Sequence, residues 1–523
     1  VGGGLNGLVA GAYLSKAGLK VIVLEKNHRV GGGVLTQELT LPGFRHDVFS
    51  TAHVAIQPSP LIARDELGLL SRYGLQYLFP EKVWGAAFQN DTSLTVYREI
   101  EKTIQSIERF SPRDAKAYEK LAKYSKDIME VVAELTSGPA PKLSSMVSML
   151  EESNEGLEFL RIMQMSIKKV VEEWFEDERL QAALAKYCTE QPCTSPDENG
   201  TGLFVLYAVN GARRKGLPVG GSGRLTEALA MCIKDMRGVI RTNSTVKEII
   251  VKDGRAKAVS LSDGTLFEAR QAVVADVHIK QFLSMIGEDS LGRDFSTRVQ
   301  KLKDNNVSAL VVHAAMSDAP HYRVSELDGC FSVEVASSME QVTRHFDEIM
   351  GGVIPRGDSA SLLLKCNSII DSTRAPPGKH VGYFYSFMPY ELRDGGPQAW
   401  DEVKEDVSES IFQALREEAP NMTREKILAY KTLTPLDLER LNPSFLKGQI
   451  NHIPMVIYQM LSLRPFPPWG NFRTPVDGMY LIGPSSASGG GVAGGGRAAA
   501  YAVLEDLHFE NPDAVLSEKT RSS

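Results

Sequence analysis

Two textures alternate along the chain. A glycine turn at residues 2–7 leads into positions where a helix and a second strand need small or apolar residues, namely Gly11, Leu14, Gly18 and Val21. The run VIVLE at 21–25 then reads as a strand buried on both faces. Residues 98–187 interleave charged residues with Leu, Ile, Met and Val at three- and four-residue spacing and are predicted mostly helical. Ser111-Pro112-Arg113-Asp114 marks one helix start, with Ser as cap, Pro at the first helical position and Asp in the first turn. After a loop-rich stretch at 188–222, short strands take over. Runs 246–251 and 256–261 flank an Asp253-Gly254 turn as a hairpin, and 268–276 is expected to add a third strand to a small meander. Strand-like runs at 310–313, 362–364 and 381–387 precede a helix near 400–418. Residues 475–507 return to the opening texture: apolar strand, glycine cluster, then a helix from about residue 493.

A length of 523 residues suits two or three connected lobes rather than one simple core. A formal charge of -7 argues against a nucleic-acid partner, which needs clustered Lys and Arg to neutralise phosphates. Five cysteines (Cys188, Cys193, Cys232, Cys330, Cys366) form no CxxC pair and fit a reducing compartment, cytoplasmic or mitochondrial matrix. No apolar run approaches the roughly 20 residues of a membrane span, so membrane contact is expected to be peripheral at most. No basic-then-apolar leader is visible, and the strand that ordinarily precedes such a glycine turn is missing. A longer natural N-terminus is therefore expected.

Gly2-Gly3-Gly4-Leu5-Asn6-Gly7 is G-x-G-x-x-G, and the strand and helix pattern around it gives it weight. Gly2 permits the tight turn, Gly4 lets backbone N–H groups approach a pyrophosphate, and Gly7 lets the helix pack closely on the sheet. The helix N-terminus adds partial positive charge. Glu25 closes the second strand about 20 residues on, where a carboxylate accepts hydrogen bonds from a ribose and disfavours a 2′-phosphate. Lys26 follows it. Arg29-Val30-Gly31-Gly32 places another glycine turn beside the pyrophosphate. Together with the return of the chain through 478–483 and 489–492, it favours FAD over NAD.

These residues resemble FAD-dependent oxidoreductases of the phytoene desaturase, carotenoid ketolase and pyridine nucleotide-disulfide oxidoreductase domain-containing protein 2 family. The resemblance runs nearly end to end. It rests on the opening fingerprint, Pro42 to Asp47, Phe110 to Asp114, Pro218 to Leu225, Thr434-Pro435, Gly448 to His452, Leu463 to Pro465, Arg473 to Val476 and the C-terminal GMYLIG…GGGVAG. It implies an α/β chain, α+β overall, with a Rossmann-type FAD-binding domain interleaved with a mixed-sheet substrate domain and a helical cap. The corresponding segments are 1–97, 98–190 (cap), 191–304 (FAD domain with meander), 305–474 (substrate domain) and 475–523. It also implies adenine contacts near Val246. Disulfide chemistry is rejected for want of a CxxC.

Gly489 to Gly494 also matches G-x-G-x-x-G, but no second strand ending in an acid follows, so an NAD(P)H site is disfavoured. Gly483, Gly490, Gly491 and Val492 are expected against the flavin ring, with the following helix N-terminus favouring negative charge near its N1–C2=O edge. Pro484, Ser488 and Arg497 depart from the family pattern beside that ring. His53 and His452 are the candidate catalytic histidines, with a structural role weighed above catalysis for each. Arg464 reads equally as a pocket cation or an ion-pair partner, and Arg213-Arg214-Lys215 as a solvated loop rather than an anion site. Tyr383, Phe384, Tyr385 and Phe387 alternate at strand spacing, with core packing preferred to pocket lining. The implied activity is hydride removal from a carbon centre of an apolar, isoprenoid-like small molecule, with oxygen or a quinone as electron acceptor. Amine oxidation at a C–N bond, redox-neutral isomerisation and a low-turnover partner-binding role are the alternatives.

Overall fold

A computed structural model describes residues 1–88, 92–136, 142–487, 489, 490, 492 and 495–517. Its first lobe is built on short parallel strands. Ile22–Leu24 pairs with Val239–Arg241, and Val273–Ala275 pairs with Met479–Leu481. Val1 and Gly2 join the two pairs: Gly2 N donates to Leu24 O (2.9 Å), and Asp276 N donates to Val1 O (2.8 Å).

On one face lie the helices Leu5–Lys16, Gly223–Asp235 and Gly496–Asp506, which bury a common core. Close approach is built into the sequence. A Cβ on Gly11 would meet Val23 and Ile233 at 3.3 and 3.4 Å, and one on Gly496 would lie 2.3 Å from Asn6 O. The other face carries the antiparallel strands Val246–Lys252, Arg255–Leu261 and Leu266–Glu268. The Asp253-Gly254 turn has positive φ at both residues (53° and 73°), the geometry that matches the twist of a tight hairpin.

The strand expected over 268–276 is two pieces. Leu266–Glu268 closes the meander, whereas Val273–Ala275 crosses to the parallel sheet. The polar residues between them turn the chain, and the apolar run beyond finds cover on both faces.

The second lobe is a seven-stranded mixed sheet in the order Ile427–Leu433, Val307–Met316, His380–Pro389, Leu362–Cys366, Ser332–Val335, Lys82–Ala87, Ser93–Tyr97. Only the pairing of Ser332–Val335 with Lys82–Ala87 is parallel among the described strands of this sheet. The predicted helix near 400–418 is Trp400–Glu418, and its Phe412 packs edge-on against Phe384 (6.3 Å) from one sheet face.

Helices between Pro112–Thr136 and Leu203–Gly211 form a cap over one edge of the sheet, where Trp84 stacks on Tyr187 at 4.4 Å. Ser111 sits before the first of these, its Oγ accepting from Asp114 N (3.4 Å). No helix among the described residues is long and apolar enough to cross a membrane.

Candidate functional site

A cavity of about 570 Å³ runs between the lobes. One end is walled by Glu25, Lys26, Asn27 and the start of the hairpin, Ser244 to Lys247. Its middle passes Gly2, Gly4, Leu5, Asn6, Gly32, Asp276, Pro484 and Val492. The far end meets Glu190, Tyr207, Tyr383, Tyr385 and Phe387.

The glycines form a cradle that side chains would fill. Gly31 N donates to Gly3 O (2.8 Å), which brings the second glycine turn against the first. Gly32 has φ 55°, and a Cβ there would lie 2.9 Å from Gly4 Cα. A Cβ on Gly4 would lie 2.8 Å from Asp276 Oδ2, and one on Gly7 only 2.2 Å from Gly2 O. Helix Leu5–Lys16 therefore points its open first turn into the cavity, the arrangement that binds a phosphate through backbone N–H groups and the helix dipole.

Glu25 is buried. Its Oε2 accepts from Gly3 N (2.7 Å) and its Oε1 from Asn27 N (2.8 Å), and the carboxylate faces the cavity with lone pairs to spare. Lys26 is exposed at the cavity mouth. Arg29 is exposed too, donating to His28 Nε2 (2.8 Å), and it does not line the cavity. Val246 lines the wall expected of it.

Asp276 was not singled out from the sequence. Its Oδ2 accepts from Gly7 N (2.9 Å), and burial raises its carboxyl to about 6. Its signal was position: an acid at the C-terminal end of a parallel strand, where open α/β sheets place their ligands.

At the C-terminal return, Gly483 has φ 80°, and a Cβ there would lie 2.1 Å from Asp276 Oδ1. Gly490 packs against Asn451, its Cβ position 1.8 Å from Asn451 Oδ1. Neither contributes to the cavity wall, whereas Pro484 and Val492 do. Ser488, Gly491, Ala493 and Gly494 lie outside the described residues.

Several expectations are corrected. Arg497 does not reach the cavity. Its guanidinium is buried behind the first helix, donating to Glu66 (2.8 and 3.1 Å) and Asp513 (3.0 Å). Arg464 is neither a pocket cation nor an ion-pair partner. It is fully buried and donates to the main-chain oxygens of Asn451, Ile453, Pro454, Gln459 and Pro484, and burial lowers its guanidinium to about 9.

His53 is turned away from the cavity, Nδ1 bonded to Tyr77 Oη (2.9 Å) and Nε2 to Ser222 Oγ (2.7 Å). Burial lowers it to about 3, so the ring is neutral and links Tyr77 to Ser222. His452 does line the cavity, with Nδ1 bonded to Ser485 Oγ (2.9 Å) and its carbonyl accepting from His278 (2.9 Å). Burial, with the charges of His278 and Arg464, holds it well below the ordinary histidine range, so it stays neutral.

Tyr383, Tyr385 and Phe387 line the cavity instead of packing only in the core, because period-two alternation puts them on the face opposite Phe384. Lys215, read as part of a solvated loop, is only 8% exposed.

Residues 1–64, which build the cradle and Glu25, match the family model described as NAD(P)-binding Rossmann-like domain. Over 97% of its length the chain is 29% identical to the mouse pyridine nucleotide-disulfide oxidoreductase domain-containing protein 2, covering 93% of that protein. It is 26% identical to one component of the limonene dehydrogenase of Castellaniella defragrans (100% and 97% covered). It is also 24% identical to the lycopene-forming phytoene desaturase of Pseudescherichia vulneris (97% and 99% covered). Among solved structures, a putrescine oxidase double mutant superposes with a TM-score of 0.62 at 15% identity, covering 97% of this chain and 98% of that one. This last likeness establishes the fold, a lobe of short parallel strands joined to one built on a seven-stranded mixed sheet.

Proposed function

We propose that the protein is an FAD-dependent oxidoreductase that takes a hydride from a carbon centre of an apolar small molecule. The observation that carries the reading is the continuity of the cavity, from Glu25 and Val246 through the glycine cradle to the aromatic wall of Tyr383, Tyr385 and Phe387. The cradle has the shape and donor set that a dinucleotide requires, and bound FAD supplies the two-electron acceptor.

The protein's own residues divide the remaining work. The first turn of helix Leu5–Lys16 would hold the pyrophosphate, and Glu25 would accept from ribose hydroxyls. The three rings, with Val307, Ala309 and Val311 of the neighbouring strand, orient an apolar substrate and exclude water. His452 acts as a neutral hydrogen-bonding brace between the loops at 451–454 and 484–485, not as a proton carrier. The similarity to limonene dehydrogenase and phytoene desaturase supports a hydrocarbon-like substrate body. Oxygen or a quinone would serve as the electron acceptor, in a reducing compartment suited to five free cysteines.

The test is anaerobic mixing of FAD-reconstituted protein with acyclic terpenoid hydrocarbons, alcohols and acids, and with primary amines, while following the flavin's visible band. Bleaching by a terpenoid supports the reading. Bleaching by amines alone overturns it in favour of C–N oxidation, and failure to retain any FAD overturns it altogether.

A further inference from the structure

The aromatic end of the cavity is not uniformly apolar. Tyr385, on strand His380–Pro389, is only 8% exposed and lines the cavity, yet among the described residues its hydroxyl has no hydrogen-bond partner. The two neighbours on the same strand face leave nothing unmet: Phe387 carries no hydroxyl, and Tyr383 donates its own to Phe49 O (3.1 Å). A phenylalanine at 385 would keep the ring contacts with Tyr383 and Phe387 without leaving a buried donor idle. Burial, then the charge of Glu190, holds the Tyr385 phenol well above its ordinary range, so it stays a neutral donor.

Glu190 supplies the complementary group. It caps the C-terminus of helix Glu178–Thr189, lines the same end of the cavity and keeps 21% of its side chain exposed. Lys186 pairs with its Oε1, which leaves Oε2 without a protein partner among the described residues. It stands close enough to Tyr385 for its charge to act on that phenol.

Charge narrows what fits between them. Behind the wall Lys186 bridges Glu190 and Glu334 (3.0 Å to Oε2), and Lys215 and Lys365 lie near both glutamates without reaching the cavity. The charge of Glu190 is thus answered from inside the protein. A ligand ammonium would add positive charge to three lysines against two glutamates, and a carboxylate would face the Glu190 oxygen.

Hydrogen-bond chemistry narrows it further. An ether or ketone accepts from Tyr385 but gives Glu190 nothing. A primary amide does both, but it brings a second N–H that the surrounding rings leave unpaired. A hydroxyl does both with nothing left over: its oxygen accepts from Tyr385 Oη, and its proton is donated to Glu190 Oε2 in a charge-assisted bond.

We infer that Tyr385 and Glu190 form a hydroxyl-binding subsite at the aromatic end of the cavity, so that the apolar molecule oxidised there carries an alcohol group. The inference rests on the reading of that end as the substrate's.

Calorimetric titration of the FAD-loaded full chain with 1-octanol, its isomer methyl heptyl ether, octanoate and octylamine tests it. 1-Octanol is expected to bind about tenfold more tightly than the ether, with octanoate and octylamine both weaker than 1-octanol. Tyr385→Phe is expected to weaken 1-octanol and the ether alike by about fivefold, leave octylamine within about twofold, and keep or raise the melting temperature of the ligand-free protein. Glu190→Gln is expected to bring 1-octanol within about threefold of the ether, because its amide donates to an ether as readily as it accepts from an alcohol. Equal affinity for 1-octanol and the ether in the unmodified protein, or tighter binding of octylamine or octanoate, overturns the proposal. So does 1-octanol affinity unchanged in Tyr385→Phe, or an undiminished preference over the ether in Glu190→Gln. Should Glu190→Gln not fold, Tyr385→Phe and the ratio in the unmodified protein decide. Protein that stays colourless with FAD refutes the cofactor reading and still yields these heats, whereas absent selectivity in yellow protein refutes the subsite alone.

Discussion

Arg464 donates its Nε to the carbonyl of Pro484 at 2.6 Å and thereby ties the 451–464 loop to the C-terminal return, two segments that wall the same cavity. Its remaining donors are spent on four other main-chain oxygens. The planar fork of a guanidinium is needed to reach all five, so Arg464→Lys is not conservative here. With several carbonyls left unpaired in the interior, Arg464→Met is expected to cost about 3–5 kcal/mol of stability, and Arg464→Lys about half of that. Both should weaken FAD binding, measured by retention of the visible band through gel filtration. A melting temperature unchanged in Arg464→Met would show that solvent already satisfies these carbonyls.

Gly32→Ala separates the cradle from the fold around it. The residue has φ 55°, and its new Cβ would press on Gly4 Cα at 2.9 Å. A left-handed alanine costs roughly 1–2 kcal/mol, so the protein should still fold while its melting temperature drops by a few degrees. FAD affinity should fall far more, by at least a hundredfold, because Gly4 is pushed into the space the pyrophosphate needs. Thermal melts with and without FAD give both quantities; a variant stabilised by FAD as strongly as the parent would place the phosphates elsewhere.

Much of the glycine cradle, with Glu25 and the hairpin beside it, could be read from the sequence because its determinants are local. A glycine at a fixed spacing, a strand ending in Glu25 and a hairpin at Asp253-Gly254 each encode their own backbone geometry within a few residues. The aromatic end of the cavity could not be read this way. Whether Tyr383 faces a cavity or a core depends on what covers that sheet face, and the cover comes from separate parts of the chain: helix Met339–Met350 against Phe387, and Glu190 and Tyr207 across the cavity. Lys215 looked solvated beside Arg213 and Arg214, yet the loop turns it inward to meet Phe331 and Tyr187. Arg497 failed for the opposite reason: its partner Glu66 lies 431 residues away in sequence and carries no motif. Pairings at that separation are set by tertiary packing, which periodicity does not encode.

The buried histidines make the protein acid-sensitive. His46, His53 and His345 are lowered to about 3 and His278 to about 4, in each case chiefly by burial. His313 and His452 are also held well below the ordinary range by burial. Because the unfolded chain protonates first, this stability is complete above about pH 6.5 and is lost as pH falls toward 3–4. At pH 5 each such histidine forfeits about 2 kcal/mol. Asp276, raised to about 6, works with the opposite sign, as do Glu334 and Glu418, also raised by burial, so three carboxyls stand against six histidines. Urea unfolding at pH 7.5, 6.0 and 5.0 should show a steep loss over the lower interval. Constant stability from pH 7.5 to 5.0 would mean that these rings reach solvent in the native state.

Glu25 is where cofactor binding and fold maintenance meet, and substitution can part them. Its two oxygens each accept one backbone N–H, from Gly3 and from Asn27, and these bonds position the first glycine turn. Glutamine keeps the length and one acceptor, but its amide must face either Gly3 N or Asn27 N, setting donor against donor. Asp keeps both acceptors and the charge, but it is one methylene short of the turn. If the carboxylate also accepts from a ribose, Glu25→Gln should weaken FAD by about tenfold to a hundredfold, roughly 1.4–2.8 kcal/mol. Glu25→Asp should lose less, since charge-assisted acceptance survives a longer bond. The melting temperature of the FAD-free protein serves as the control for the backbone bonds alone. Equal losses of stability with and without FAD in Glu25→Gln would confine this residue to holding the turn, and the ribose would have to be recognised by the neighbouring Asn27 or Lys26.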